Sequence, residues 1–191
     1  MEYLIITLGS YLLGSIPFGF ILTKIFLKKD IRDIGSGNIG ATNVLRTGNK
    51  LIGYSTLILD VLKAVVPVIY IKFNFPDYIF IASLSVFLGH VFPIWLQFKG
   101  GKGVATYLGI LFSLDLTYGL IFIGVWFTTF IISKYSSLSS IISSIAIPIY
   151  LIIFGNNNFI FFGIMFVLIL YTHRENVKRL KNKEENKTKI Y

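Results

Sequence analysis

The sequence predicts an all-α, polytopic integral membrane protein built as one helical bundle. Two features of its composition indicate this. Apolar residues make up 54% of the 191-residue chain. Charged residues make up 14%, against about 25% in soluble domains. In addition, the apolar residues occur in runs as long as a bilayer-spanning helix requires. A disordered chain is thereby excluded, and a soluble globular domain is disfavoured.

Seven apolar stretches define the expected helices. They cover residues 3–23, 51–71, 78–96, 104–114, 116–132, 138–154 and 159–172. Because a span needs about 20 residues, the fourth stretch is short. We expect protein to shelter it, or the bilayer to be thinned around it.

The basic residues predict how these seven helices are oriented. With seven crossings, every Lys and Arg except Lys63 and Lys72 falls in the first, third or fifth connection or in the tail. The positive-inside rule then places the N-terminus outside and the C-terminus in the cytoplasm. Joining the fourth and fifth stretches into one helix would put the basic tail on the wrong side.

The composition also limits the domains and the ligands. We predict one membrane domain over residues 1–180 and a basic cytoplasmic tail over 181–191, frayed or lying on anionic headgroups. The chain has no cysteine and two histidines, which excludes a thiol nucleophile and a cysteine-ligated metal. No metal or cofactor is expected. Since topology accounts for most of the net charge of +9, a nucleic-acid partner is not favoured.

The first cytosolic loop, residues 24–50, contains a polar, glycine-rich segment, GSGNIGATNVLR, at 35–46. It includes G-x-G-x-x-G, but a dinucleotide site needs a preceding strand, so that interpretation is rejected. Glycines allow backbone amides to approach an anion. Polar side chains add donors: Ser36, Asn38, Thr42, Asn43 and Arg46. A turn-rich connector with capping Ser and Asn is the alternative.

The third connection reads KGGKG at 99–103 and leads directly into an apolar stretch. A P-loop would need Ser or Thr where Gly103 stands and a strand before the loop, so an NTPase is rejected. Glycines and lysines at a helix N-terminus still suit a phosphate. A tight basic turn is the other interpretation.

The tail begins with a third candidate segment, THRENVKRL at 172–180. If the last helix continues into the cytosol, His173 and Asn176 are three residues apart and share a face. An ordinary basic helix end explains the same residues.

Three other features have both structural and functional interpretations. Asp60 and Lys63 lie one turn apart inside the second stretch, where an ion pair is a sufficient structural reason for both. His90 is expected to make an interhelical hydrogen bond. The serines of segment 136–140 are expected to cap a helix, or else to bind substrate.

Three cytosolic segments suited to phosphate, at the foot of an apolar bundle, predict a substrate with phosphate groups and a lipid-soluble part. This pattern alone does not distinguish catalysis from transport of an organic phosphate. A purely structural subunit is a third interpretation, which the three loops disfavour.

The motifs themselves are more specific than this pattern. They are SGNIGATNVLR at 36–46, GHVFP at 89–93 with FKGGKGVAT at 98–106, and HREN at 173–176 with Arg179 and Leu180. In this order they resemble the bacterial PlsY family of membrane acyl-phosphate:glycerol-3-phosphate acyltransferases. The segment GSIPFG at 14–19 and the Asp60/Lys63 pair resemble the family too, so the resemblance covers nearly the whole chain.

The resemblance implies transfer of a fatty acyl group from acyl phosphate to the 1-position of glycerol 3-phosphate. Lysophosphatidic acid and phosphate would be the products, in bacterial phospholipid biosynthesis. It also implies a multi-pass protein of the bacterial inner membrane with its active site facing the cytosol, and contact with the enzyme that makes acyl phosphate. Neither histidine has an aspartate five residues later, in keeping with a class distinct from soluble and peripheral acyltransferases.

With that activity, each motif receives a hypothetical role. Gly100, Gly101, Lys102 and Gly103 would bind one of the two substrate phosphates, and Ser36, Asn38 and Arg46 would complete the pocket. His173 and Asn176 would orient the attacking hydroxyl. His173 is a candidate general base, since histidine titrates near neutrality; the substrate phosphate is the alternative proton acceptor. Ser36 as a covalent acyl carrier is a weaker alternative.

Overall fold

The computed structural model describes residues 1–188, which form helices joined by turns and loops, with no strand among them. The α-helices are α1 (Glu2–Gly14), α2 (Phe18–Leu22), α3 (Ala41–Leu45), α4 (Lys50–Asn74), α5 (Ile79–Val91), α6 (Val104–Leu114), α7 (Leu116–Ser133), α8 (Ser136–Ile153), α9 (Phe159–Thr172) and α10 (Arg174–Lys181). Each of the seven predicted stretches is mainly helical, with interruptions in the first and the third. The chain forms two compact units, the first Met1–Leu114 and the second beginning at Asp115.

Within residues 1–188, four helical segments are long and apolar enough to cross a membrane: Glu2–Leu27, Pro76–Leu96, Leu116–Ser133 and Ser136–Ile153. A fifth is added if α9 and α10 form one bent span. Many large apolar side chains are exposed, Phe73 and Ile132 each by 79%. Exposure on this scale is expected of a surface in contact with lipid rather than water. The molecule is therefore an integral membrane protein.

In the first unit, α1 packs on α5 and α4 packs on α6. Glycines allow the α1–α5 approach, because a Cβ at Gly14 would overlap the Val86 carbonyl and one at Gly89 would overlap the Tyr11 carbonyl. The Tyr11 hydroxyl also donates to the Phe92 carbonyl (2.7 Å). This packing makes α1 and α5 a close-fitting pair.

A break before Pro17 separates α1 from α2. Proline has no amide hydrogen and cannot continue the helical bonding pattern. The Lys63 ammonium on α4 donates to the Ile16 carbonyl at this break (2.8 Å). The buried Lys63 thus connects α4 to the break between α1 and α2.

In the second unit, α7 packs on α8 and α8 on α9. The amide of Thr117 donates to the Asp115 side chain (2.7 Å), an N-cap that starts α7 as a helix separate from α6. The fourth and fifth stretches are therefore two helices, as predicted.

The serines of α8 do not cap it, so the capping prediction is wrong. The residue before the helix is Tyr135, which makes no side-chain cap. The hydroxyls of Ser139 and Ser140 donate back to the carbonyls of Tyr135 and Ser136 (both 2.9 Å). Such bonds satisfy a buried hydroxyl within its own helix.

The sequence allows a last helix that continues straight through His173 into the cytosol. In the structure the helix bends there. Residue His173 has φ −97° and ψ 7°, outside helical values, and α10 leaves α9 at an angle of 62°. His173 and Asn176 consequently lie at the start of a new helix rather than along one face of a long one.

The tail is not detached over the part that the structure describes. The amide of Glu184 donates to the Arg179 carbonyl (2.8 Å) and that of Thr188 donates to the Lys134 carbonyl (2.9 Å). The prediction of a frayed tail is therefore wrong for residues 181–188. Residues 189–191 of the predicted tail lie outside the described residues.

Candidate functional site

The first cytosolic loop is organised around the buried side chain of Asn43. Its amide nitrogen lies within hydrogen-bond distance of three carbonyls, those of Ile31 (3.2 Å), Ile34 (2.8 Å) and Asn38 (2.9 Å). Its Oδ1 accepts from the amide of Ser36 (2.9 Å). Asn43 was expected to be one of the anion donors. The structure uses its donors on the backbone instead, so it holds the loop together.

The three predicted binding residues of this loop gather around Asn43. Ser36 is bound to it through its amide and has an exposed side chain. The Arg46 guanidinium, also exposed, approaches the same Oδ1 (3.4 Å). The Asn38 side chain accepts from the amide of Gly40 (2.8 Å) just before α3. Asn38 thereby fulfils the turn-forming interpretation, and Ser36 and Arg46 lie at the loop surface.

Replacing Asn43 with alanine is expected to destabilise this loop. The change leaves buried carbonyls and one amide without their partner, at about 1–3 kcal/mol. We expect a lower melting temperature in detergent and faster proteolysis within residues 24–50. Thr42→Ala, an exposed neighbour, is the matched control. Equal melting and cleavage of the two variants would contradict the role assigned to Asn43.

The second candidate loop, which is the third connection at residues 99–103, packs against the C-terminal end of α5. The amides of Gly100 and Gly101 donate to the carbonyls of Val91 (3.0 Å) and His90 (3.1 Å). A Cβ at Gly100 would overlap those carbonyls, and one at Gly101 would overlap the His90 ring. These two amides terminate α5, so the expectation that they donate to an anion is wrong. Their glycines instead permit close packing.

Lys102 and the start of α6 supply the groups suited to an anion in this loop. Lys102 is half-buried, and the first-turn amides of α6 have no carbonyl partner within their own helix. Gly103 has φ +84°, and a Cβ there would overlap the Phe87 ring. The left-handed backbone at Gly103 therefore sets the direction in which α6 starts.

A shared apolar core brings the two loops to the same end of the first unit. Leu96, just before the second loop, packs in one cluster with residues of the first loop and of α4: Ile31, Ile39, Val44 and Ile52. The approach is close, since a Cβ at Gly19 on α2 would overlap the Ile39 carbonyl. Burial of these side chains fixes the polar loop surfaces relative to one another.

An apolar groove lies beside this cluster, at the break between α1 and α2. It is lined by Ile16, Pro17, Phe20, Ile21, Trp95 and Leu96. Polar loops and an apolar groove in one unit suit a ligand that is part anion and part hydrocarbon.

A buried ion pair on α4 lies next to His90, the α5 residue whose carbonyl accepts from the second loop. Lys63 Nζ is 2.8 Å from Asp60 Oδ1, and both side chains are almost fully buried, so the predicted ion pair is confirmed. His90 Nδ1 lies 3.7 Å from the same carboxylate oxygen and has no hydrogen-bond partner among residues 1–188. The predicted interhelical hydrogen bond of His90 is therefore not made through Nδ1.

The third segment places a buried imidazole at the bend between α9 and α10. His173 Nδ1 is 2.8 Å from the Ile169 carbonyl. A carbonyl oxygen only accepts, so Nδ1 carries a proton; when the ring is neutral, Nε2 then holds the lone pair. Asn176, three residues on, is also buried. This tautomer presents Nε2 as a proton acceptor.

Sequence reasoning missed Glu185, a carboxylate of the tail that Asn176 contacts in the second unit. The carboxylate of Glu185 accepts from Ser137, Asn176 and Arg179. Arg179 belongs to the third motif and could have been singled out. Glu185 lies nine residues after Asn176 in a Lys- and Asn-rich tail, and no local pattern indicates its position.

These features define an all-helical integral membrane protein with polar, glycine-rich loops on one unit and a buried histidine–asparagine pair on the other. A family model described as glycerol-3-phosphate acyltransferase matches residues 4–183. The chain belongs to the PlsY family of glycerol-3-phosphate acyltransferases, as the motifs suggested.

Bacterial relatives match along almost their whole length. A glycerol-3-phosphate acyltransferase of Pelagibacter ubique is 78% identical over 191 residues, all of both chains. One of Brucella anthropi is 49% identical, covering 93% of this chain and 89% of its own.

Two crystal structures of PlsY match the fold. The glycerol 3-phosphate form has a TM-score of 0.91 at 36% identity, covering 98% of this chain and 96% of its own. The lysophosphatidic acid form has a TM-score of 0.88 at the same identity and covers 98% and 95%.

Proposed function

We propose that this protein is a membrane glycerol-3-phosphate acyltransferase that uses acyl phosphate as its donor. It would acylate the 1-position of glycerol 3-phosphate and release lysophosphatidic acid and phosphate, within bacterial phospholipid biosynthesis. The observation that carries the proposal is the full-length similarity to PlsY, whose two structures are described as glycerol 3-phosphate and lysophosphatidic acid forms. A polar first substrate and a lipid product correspond to the two ends of the proposed reaction.

The choice of acyl phosphate as donor is supported by the chemistry that the loops offer. Acyl phosphate is a mixed anhydride, so its carbonyl is already activated. The enzyme then has to align two phosphate-bearing substrates and stabilise the charge that moves onto the leaving phosphate. The Lys102 ammonium and the Arg46 guanidinium suit that task, and the groove lined by Ile16 and Trp95 suits an acyl chain.

In the proposed step, the 1-hydroxyl oxygen of glycerol 3-phosphate bonds to the carbonyl carbon, and the bond from that carbon to the phosphate oxygen breaks. The hydroxyl proton goes to His173 Nε2 or to the departing phosphate. Asn176 orients the hydroxyl, and Ser36, Asn38, Lys102 and the start of α6 after Gly103 contribute to phosphate binding. Gly100 and Gly101 hold that loop against the end of α5. Acyl transfer through Ser36 is the weaker route, since it needs two successive acyl transfers, first from acyl phosphate to the serine hydroxyl and then from the serine ester to glycerol 3-phosphate.

The membrane arrangement belongs to the same proposal. We place seven spans over residues 1–180, with α6 the short fourth one, the N-terminus outside and the C-terminus and active site on the cytosolic side of the inner membrane. The distribution of basic residues supports this orientation, and the family match over 4–183 supports one acyltransferase domain. A cytosolic site would also allow contact with the enzyme that makes acyl phosphate.

The proposal is tested with purified protein in lipid vesicles and labelled glycerol 3-phosphate. Acyl phosphate, acyl-CoA and acyl-carrier-protein thioester are compared as donors. We expect label in a butanol-extractable lipid with acyl phosphate alone. Incorporation only from a thioester would overturn the donor, and accumulation of unmodified glycerol 3-phosphate without lipid would indicate a transporter.

A further inference from the structure

Three hydrogen-bond donors of the second unit converge on one carboxylate of the tail. Glu185 accepts from Ser137 Oγ (2.6 Å), Asn176 Nδ2 (2.6 Å) and Arg179 Nε (2.7 Å). Its side chain is only 9% exposed. Hydrogen bonds to a charged acceptor at such distances are the strong kind. Glu185 is therefore firmly bound despite lying in a polar tail.

The electrostatic surroundings of Glu185 favour an ionised carboxylate, as expected for an anion-binding site. Partial burial acts to raise its pKa, but the hydrogen bonds from Ser137, Arg179 and Asn176 outweigh it and hold the pKa below its usual value. The carboxylate is accordingly charged at neutral pH. A hydroxyl, an amide and a guanidinium around one anion form the same donor set that binds a phosphate oxygen.

We propose that Glu185 occupies a phosphate-binding subsite formed by Ser137, Asn176 and Arg179, and that the tail acts as a built-in competitor of the substrate. The inference rests on the proposed function, in which Asn176 acts on the substrate. Because the carboxylate is attached to the same chain, its effective concentration at these donors is high. A substrate phosphate has to displace it before its own oxygens can bind.

Competition of this kind changes the apparent affinity of one substrate and not the chemical step. The apparent dissociation constant rises as the fraction of open sites falls. Either substrate carries the required phosphate, so each is varied in turn at a fixed level of the other. The substrate whose KM responds is the one that uses the subsite.

The kinetic experiment compares Glu185→Gln with the unchanged chain. Removing the charge should lower the KM of one substrate about two- to tenfold, with kcat unchanged within about twofold. Glu184→Gln is the matched control, because the side chain of Glu184 is exposed and the hydrogen bond from its backbone N–H to the Arg179 carbonyl is retained. Unchanged KM values for both substrates overturn the proposal. A fall in kcat at constant KM also does, since it would make Glu185 a positioning residue for Asn176.

A second experiment follows the tail without acyl transfer. The chain has no cysteine, so Asn186→Cys gives a single site for a spin label. We expect inorganic phosphate to increase the label's mobility and sodium chloride of equal ionic strength not to. If saturating phosphate leaves the mobility of the label unchanged, phosphate does not displace Glu185 and the proposal is overturned. If the unchanged chain makes no lysophosphatidic acid, the proposed function fails, while the label still reports whether the subsite takes phosphate.

Discussion

Replacing either His173 or Asn176 with alanine should lower kcat of the proposed acyl transfer about 100- to 10,000-fold. The His173 ring is buried, and its Nδ1 proton is committed to the Ile169 carbonyl. The variant loses the oriented Nε2 acceptor, and Asn176→Ala loses an amide at the start of the same helix. Turnover of acyl phosphate and glycerol 3-phosphate in vesicles measures both effects.

Lys178→Ala is the matched control, because Lys178 lies on the same helix with an exposed side chain. It should retain nearly full activity. A pH profile separates the two roles considered for His173. If Nε2 accepts the proton, kcat of the unchanged chain falls as acid protonates the ring, and His173→Ala loses that acid limb. Near-normal turnover of both alanine variants would remove the third motif from the mechanism.

Among substitutions in the first unit, alanine at Gly103 or Gly101 is expected to cause the largest loss of stability and of substrate affinity. At Gly103 the left-handed backbone costs an alanine about 1–2 kcal/mol, and the new methyl group overlaps the Phe87 ring. At Gly101 it overlaps the buried His90 ring, which has little room to move. Overpacking of this kind typically costs about 1–3 kcal/mol. We expect a lower melting temperature and a higher KM for a phosphate-bearing substrate.

Gly124→Ala on α7 is the control, because nothing lies within 4 Å of the added Cβ. It should melt at or above the temperature of the unchanged chain, since alanine is the better helix former. The second loop would have no demanding packing role if Gly101→Ala and Gly103→Ala matched this control in both melting and KM.

Helix positions were the most predictable part of the structure. Each of the seven apolar stretches is mainly helical, and α6 covers the predicted residues 104–114. The break before α7 was also predictable, since Asp115 is a favourable N-cap residue that interrupts two apolar runs. Long apolar runs and caps are local properties, which neighbouring residues largely settle.

The sequence identified the residues of the candidate loops, but it predicted the roles of only some of them. Ser36, Asn38 and Arg46 do gather in one loop, and a common core with Leu96 joins that loop to the second one. Two roles were assigned wrongly, those of Asn43 and of the Gly100 and Gly101 amides. In both cases a polar group that looked available for an anion is bonded to backbone that the sequence does not show to be near.

The class of protein, its helices and its family follow from composition, apolar runs and motif order, which are all properties of the linear chain. Which polar groups are still suited to a ligand follows from the folded arrangement. At the bend between α9 and α10, His173 Nδ1 is bonded to the Ile169 carbonyl, and the return of the tail places Glu185 on Asn176. Both depend on hydrogen bonds that chain folding creates, and burial makes those bonds strong enough to override local preference.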